Sequence, residues 1–211
     1  YFQINLFIDF KILRRQMKDL NLNKVGYYNP EACNLVDFLA IINQKLEDRL
    51  VPHASEVQNN IPIYNISGLK NIIENSELKK ELMAEWAWVL RESSGAIVLR
   101  NAYSDISPID EATELYEQII SEEKQKSGGG ADHFAAAGAN DRIWNSLQKL
   151  CEASPDVFLR YFANTAIETA CESWLGPNYQ MTAQVNLVHP GGAAQQAHRD
   201  YHLGFQTAEI S

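Results

Sequence analysis

The sequence predicts an α+β fold in which a helical N-terminal half is followed by antiparallel strands. Apolar residues recur at helical spacing along the first half, and Ser-Pro pairs mark two helix starts. After Pro177 the pattern changes to an alternation with a period of two, which is typical of strands with one buried face. Strands and helices do not alternate regularly, and this argues against a doubly wound parallel sheet.

Two helices and a short strand are predicted in the first hundred residues. A helix that follows Pro30 aligns the apolar residues Leu35, Phe38, Leu39, Ile42 and Leu46. A second helix begins near Asn75, ends at Ser94-Gly95 and aligns Leu78, Leu82, Trp86, Val89 and Leu90. The apolar run over residues 96–99 follows a glycine, and it predicts a buried strand.

The next two predicted helices begin at Ser107-Pro108 and Ser154-Pro155, because serine caps a helix and proline fits its first position. The first is expected to bury Ala112, Leu115, Tyr116, Ile119 and Ile120. The second is expected to run through Phe158, Leu159, Phe162, Ala166 and Trp174 to Gly176-Pro177. Between them, the glycine- and alanine-rich residues 127–140 predict a mobile loop.

The C-terminal part is predicted to be extended. Residues 182–188 alternate, so Gln184 and Asn186 share one strand face while the apolar residues share the other. A turn is predicted at residues 189–192, and a second extended segment covers 196–205.

Composition bounds the class of protein and its partners. The 211 residues are 45% hydrophobic and 21% charged, as in one globular domain. A net charge of −9 without a cluster of Lys and Arg argues against nucleic-acid binding. No apolar run is long enough to span a membrane.

The cysteines and the N-terminus complete this picture. Cys33, Cys151 and Cys171 lack paired spacing, which argues against a disulfide framework and favours a reducing cytoplasm. Residues 1–25 are an uncertain leader that begins like the remnant of a cleaved tag, and residues 26–211 are expected to form a single domain.

The residues that carry chemistry are His198 and Asp200. They are two apart on a predicted strand, so their side chains project from the same face. An imidazole and a carboxylate placed in this way can each give one ligand to a metal ion. A second histidine from elsewhere would complete the facial triad of non-heme iron oxygenases. Spacing alone also allows a simpler interpretation, a surface ion pair of little energetic weight.

Three segments together resemble the core of the phytanoyl-CoA dioxygenase family of Fe(II)- and 2-oxoglutarate-dependent oxygenases. They are Gln184-Val185-Asn186, Pro190-Gly191-Gly192 and the run His198-Arg199-Asp200-Tyr201-His202-Leu203-Gly204-Phe205. Gly95-Ala96-Ile97-Val98-Leu99-Arg100 extends the resemblance, which covers about residues 66–211.

The resemblance implies a double-stranded β-helix (a cupin-like jelly roll) with helices packed outside. It implies that His198 and Asp200 bind Fe(II), and that Asn186, with Gln184 on the same face, lies near 2-oxoglutarate. Dioxygen and a small organic molecule would be the other substrates. Tyr201, His202 and Phe205 are candidates for the wall of the substrate pocket.

The chain departs from the family pattern at its end. The family's second metal histidine and its 2-oxoglutarate-binding arginine come later than Ser211. The resemblance therefore implies a helical half to about residue 177 and only the start of a jelly roll over 178–211, incomplete at the C-terminus. We expect the missing groups in a longer chain.

The other histidines are poor substitutes for the missing ligand. The Cβ atoms of His198 and His202 would lie about 13 Å apart on one strand, whereas two imidazoles sharing a metal span about 11 Å. His53, His133 and His189 are expected at the surface. Two alternatives stay open: a non-catalytic jelly-roll binding module, and a cupin-like metalloenzyme that does not use 2-oxoglutarate.

Overall fold

The computed structural model describes residues 34–127 and 140–192. The chain divides into two compact units, one formed by Tyr1–Asn43 with Ala197–Ser211 and the other by Gln44–Gln196. The described part of the first unit is helix α1, Leu35–Ile42. The Asn34 side chain caps it by accepting a hydrogen bond from the Asp37 amide, which confirms the predicted helix but leaves Leu46 beyond its end.

The described elements of the second unit are short strands and helices that do not alternate regularly. After a 3₁₀ turn at Asp48–Leu50 they are β1 (Glu56–Gln58), β2 (Ile61–Asn65), α2 (Ile66–Glu74), α3 (Ser76–Glu92), β3 (Val98–Arg100), α4 (Ser107–Ser127), β4 (Asn140–Ile143), α5 (Ser146–Ala153), α6 (Pro155–Phe162), α7 (Thr165–Leu175) and β5 (Val185–Val188). The predicted α+β class is confirmed, but the predicted order of helices first and strands last is wrong, because β1, β2 and β3 lie within the first hundred residues. None of the described helices is long and apolar enough to cross a membrane.

Two small sheets connect these elements within the described residues. The first has the order β1-β2-β3, with β1 antiparallel and β3 parallel to β2. Asn59 and Asn60 join β1 to β2 with φ angles of 51° and 67°, the left-handed conformation that a tight hairpin requires. The second sheet pairs β4 with β5 in antiparallel register, from Asn140↔Val188 to Ile143↔Val185.

The first hydrophobic core lies where α2, α3 and α7 pack against β2. Its buried members are Tyr64, Ile66, Leu69, Leu82, Trp86 and Ala166. The Tyr64 and Trp86 rings meet edge to face with centroids 5.3 Å apart. As predicted, α3 follows Asn75, whose side chain accepts hydrogen bonds from the Glu77 and Leu78 amides.

The second core joins α4, β4, α5 and α6. Its buried members are Ala112, Tyr116, Ile120, Ile143, Leu150 and Val157. The predicted apolar stripe of α4 is therefore confirmed. Its cap was assigned wrongly, because Ser107 is already the first helical residue and its amide is bound by the Asp105 carboxylate.

The structure also corrects two predicted elements. The helix predicted from Ser154 to Gly176 is two helices, because α6 ends at Phe162 and Asn164 caps α7. The strand predicted as buried over 96–99 is β3, which lies at the end of the described strand order and leaves Val98 43% exposed. Sequence patterns did not predict β1, β2, β4, α2 or α5.

Candidate functional site

The predicted site residues fall into two groups. The proposed iron ligands His198 and Asp200 lie outside the described residues, as do the pocket candidates Tyr201, His202 and Phe205. His133 and most of the predicted mobile loop also lie outside them. The other three residues are described: Asn186 lies on β5, Gln184 directly before it and His189 directly after it.

The β4–β5 pair has one face on the second core. Ile143 is fully buried and opposite Val185, which packs against the same cluster. Residues directly opposite in an antiparallel pair share a face, so Asp141 and Leu187 lie on this side as well. The segment is a strand as predicted, but it begins at Val185 rather than at residue 182, and its apolar face is only partly buried because Leu187 is 38% exposed.

The opposite face of the pair carries the polar residues Asn140, Arg142 and Asn186, together with Val188. Arg142 lies directly across from Asn186, and Asn186 is exposed. The Arg142 guanidinium carbon lies 5.2 Å from the centroid of the Trp144 ring, a cation–π contact. Gln184 is exposed and precedes the first residue of β5. A guanidinium beside a carboxamide is suited to an organic carboxylate, since the guanidinium donates two parallel hydrogen bonds.

Asp141 connects three elements on the core-facing side. Its carboxylate lies 2.7 Å from Lys124 Nζ, on α4, and 2.7 Å from His189 Nε2, just past β5. Burial by itself raises the pKa of Asp141, but hydrogen bonds from Lys124 and His189 outweigh it and lower the pKa overall. His189, expected at the surface, is half-buried and held by this contact. Lys124 had no signal in the sequence beyond its place near the end of a helix.

The predicted turn after β5 is confirmed. The Gly192 amide donates a hydrogen bond of 2.8 Å to the His189 carbonyl oxygen, and Gly191 has a φ angle of +84°. Proline at the second position and a left-handed glycine at the third are the signature of a type II turn. From here the chain continues toward His198.

A second buried carboxylate belongs to the first core. Glu85 accepts a hydrogen bond of 2.9 Å from the Tyr64 hydroxyl, and its other oxygen lies 2.5 Å from His53 Nδ1. Burial, followed by the charge of Glu85, raises the pKa of Tyr64. His53, expected at the surface, is thus a partly buried structural residue.

An open apolar depression of about 480 Å³ lies beside α5 and α6. Its lining residues are Leu147, Gln148, Cys151, Phe158, Phe162 and Met181. None of these side chains is a histidine or a carboxylate, so the depression suits an uncharged apolar group rather than a metal ion. Throughout residues 34–127 and 140–192, no three His, Cys, Asp or Glu side chains are grouped so that they could hold a metal ion.

Comparison with known proteins identifies the family. The family model for phytanoyl-CoA dioxygenase matches residues 91–210, more than half of the 211-residue chain. The match begins at residue 91 rather than at residue 66, and it includes α4, β4, β5, the turn and both His198 and Asp200. No curated protein and no solved structure gives a significant match. The chain therefore belongs to the phytanoyl-CoA dioxygenase family, a family of oxygenases.

Proposed function

We propose that the protein is a non-heme Fe(II)- and 2-oxoglutarate-dependent dioxygenase that hydroxylates a small organic substrate. The observation that carries the proposal is family membership over residues 91–210, a region that contains His198-Arg199-Asp200. The proposal includes a double-stranded β-helix to which the β4–β5 pair would contribute two strands.

The proposed metal ligands are the His198 imidazole and the Asp200 carboxylate, joined by a second histidine from beyond the described residues. This donor set fits Fe(II) because two nitrogens and one carboxylate on one face leave open positions for a co-substrate and dioxygen. With these bound, the centre supplies the oxidation in which one oxygen atom enters a substrate C–H bond and the other enters succinate, with release of CO₂.

The face of β4–β5 that carries Arg142 and Asn186 is the proposed neighbour of 2-oxoglutarate. Asn186 is exposed there, with Arg142 directly opposite and Gln184 just before the strand. Their part would be to bind and orient a carboxylate, for which a guanidinium and amide groups on a common surface are suited. Tyr201, His202 and Phe205 would line the substrate pocket and help to exclude water.

The test is an anaerobic titration with Fe(II) and 2-oxoglutarate that follows the weak visible charge-transfer band of the chelate. It should use the complete protein, including any sequence outside these 211 residues. We expect the band in the wild-type protein and its loss, together with turnover, in His198→Ala and Asp200→Ala. His202→Ala is the matched control, because geometry keeps this imidazole from sharing the metal with His198, and it should retain the band.

Other outcomes select the alternatives. An unchanged band in both His198→Ala and Asp200→Ala would contradict the assignment of these ligands. Absence of the band in wild-type protein at saturating Fe(II) and 2-oxoglutarate would favour a non-catalytic binding module. Product formation without 2-oxoglutarate would favour a cupin-like metalloenzyme.

A further inference from the structure

The end of β5 receives little support from the hydrophobic core. Within the described residues β4 and β5 form a two-stranded sheet, an arrangement that is marginally stable by itself. Val185 packs against the second core, but Leu187 and Val188 are 38% and 48% exposed. Apolar burial therefore fixes the beginning of β5 and leaves its last residues dependent on polar contacts.

Asp141 supplies those contacts from a buried position. Its side chain is 9% exposed, compared with 46% for Lys124 and 39% for His189. Oδ1 lies 2.7 Å from Lys124 Nζ, and Oδ2 lies 2.7 Å from His189 Nε2. Exposed ion pairs contribute little, but hydrogen bonds to a desolvated carboxylate are stronger, and breaking them leaves a buried charge without partners.

His189 connects Asp141 to the residues on both sides of it in the chain. Three residues before it is Asn186, whose side chain faces Arg142 across the sheet. The carbonyl of His189 itself begins the turn that Gly192 closes. A displacement of His189 would therefore move the strand that carries Asn186 and the turn that Gly192 closes.

We infer that the contacts of Asp141 with Lys124 and His189 hold the end of β5, and we call these three residues the clasp. By holding β5, the clasp positions the surface of Arg142, Gln184 and Asn186 that is proposed to bind 2-oxoglutarate. The inference rests on the proposed function. Asp141 and Lys124 are positioning residues in this assignment, because they act through His189 and do not touch the reacting atoms.

The experiment measures two quantities in variants of the complete Fe(II)-loaded protein, below the unfolding temperature of each. The first is the Kd for 2-oxoglutarate from the charge-transfer band, and the second is amide hydrogen exchange in peptides covering residues 183–192. We expect three variants, Asp141→Asn, Lys124→Met and His189→Leu, to raise the Kd for 2-oxoglutarate roughly 10-fold, as the loss of a side chain that orients a binding residue usually does. The same variants should speed amide exchange in these peptides.

Two variants serve as matched controls. Lys126→Met removes a lysine from the same last turn of α4, where it forms an exposed ion pair with Glu122, and both quantities should stay at wild-type values. His189→Gln keeps an N–H donor at a similar distance from the backbone. It should therefore restore most of the 2-oxoglutarate affinity and most of the protection from exchange that His189→Leu loses.

The outcomes separate this inference from the proposed function. Unchanged exchange in the three clasp variants would overturn the clasp. Faster exchange with an unchanged Kd would reduce it to a purely structural contact and overturn the positioning role. A wild-type protein without the band would instead refute the proposed function, and the positioning role would fail with it.

Discussion

At the scale of single residues, Glu85 is a buried polar residue that contacts the first core through Tyr64. It lies on the buried side of α3, and its carboxylate is satisfied by the Tyr64 hydroxyl, the His53 ring and the His53 amide. These three contacts join the segment before β1, strand β2 and α3. A buried carboxylate is tolerated only when it is satisfied in this way.

Glu85→Leu should destabilise the protein by about 3 kcal/mol, since it leaves the buried Tyr64 hydroxyl and the His53 ring without their acceptor. The measurement is the free energy of unfolding from urea denaturation. The control is Glu81→Leu, an exposed position one helical turn earlier on the same helix, which should change stability by less than about 0.5 kcal/mol. Equal losses of unfolding free energy at the two positions would show that the contacts of Glu85 contribute nothing to stability.

At the scale of elements, Asn164 separates α6 from α7. Its side-chain oxygen accepts hydrogen bonds from the Ala166 and Ile167 amides, which caps α7. Its Nδ2 donates to the carbonyl of Ala102, 2.9 Å away, in the segment between β3 and α4. Asn164 thus lies between the two helices, caps the second, and binds this junction to a distant part of the chain. Ser154, by contrast, only caps α6, by accepting a hydrogen bond of 3.4 Å from the Val157 amide.

Asn164→Ala should therefore cost about 2 kcal/mol, from one lost cap and one unsatisfied carbonyl, while Ser154→Ala should cost about 1 kcal/mol. Asn164→Asp divides the two contributions, because aspartate retains the cap but cannot donate to Ala102. Thermal unfolding of the three variants measures the difference. Equal losses in Asn164→Ala and Ser154→Ala would mean that the contact with Ala102 carries no weight.

At the scale of the whole molecule, the acidic composition determines how stability responds to pH. The chain carries a formal charge of −9. Partners that donate hydrogen bonds lower the pKa of several carboxyl groups. Hydrogen bonds from Arg160 lower the pKa of Glu111. The pKa of Asp141 is lowered too, because Lys124 and His189 outweigh the raising effect of burial.

A carboxyl group whose pKa is lower in the folded protein than in the unfolded chain stabilises the fold above the unfolded value, which is about 4. That stability is lost as the pH falls through the folded pKa. We therefore expect the unfolding temperature to decrease progressively below about pH 5. Asp141→Asn should show a smaller decrease than wild type in thermal scans between pH 7 and pH 3. A decrease of the same size in both proteins would contradict this assignment for Asp141.

Features that are specified by local chemistry could be predicted from the sequence. Asn75 and the apolar spacing behind it determine α3, since a cap and an i, i+4 stripe are contained within one helix. Pro190 and Gly191 determine the turn after β5 in the same way. The spacing of His198 and Asp200, together with the neighbouring segments, was sufficient to indicate the family that the match over residues 91–210 identifies.

Contacts between distant segments could not be predicted in this way and are seen only in the folded chain. The pairing of β4 with β5 brings Arg142 opposite Asn186. The sequence around either residue does not predict this contact. The same holds for Lys124, Asp141 and His189, and for the break at Asn164, where a helical spacing continues through a position that binds Ala102. The physical reason is that a cap, a stripe or a turn is satisfied by neighbours along the chain. A buried carboxylate or a strand edge is satisfied by whichever group the fold brings to it.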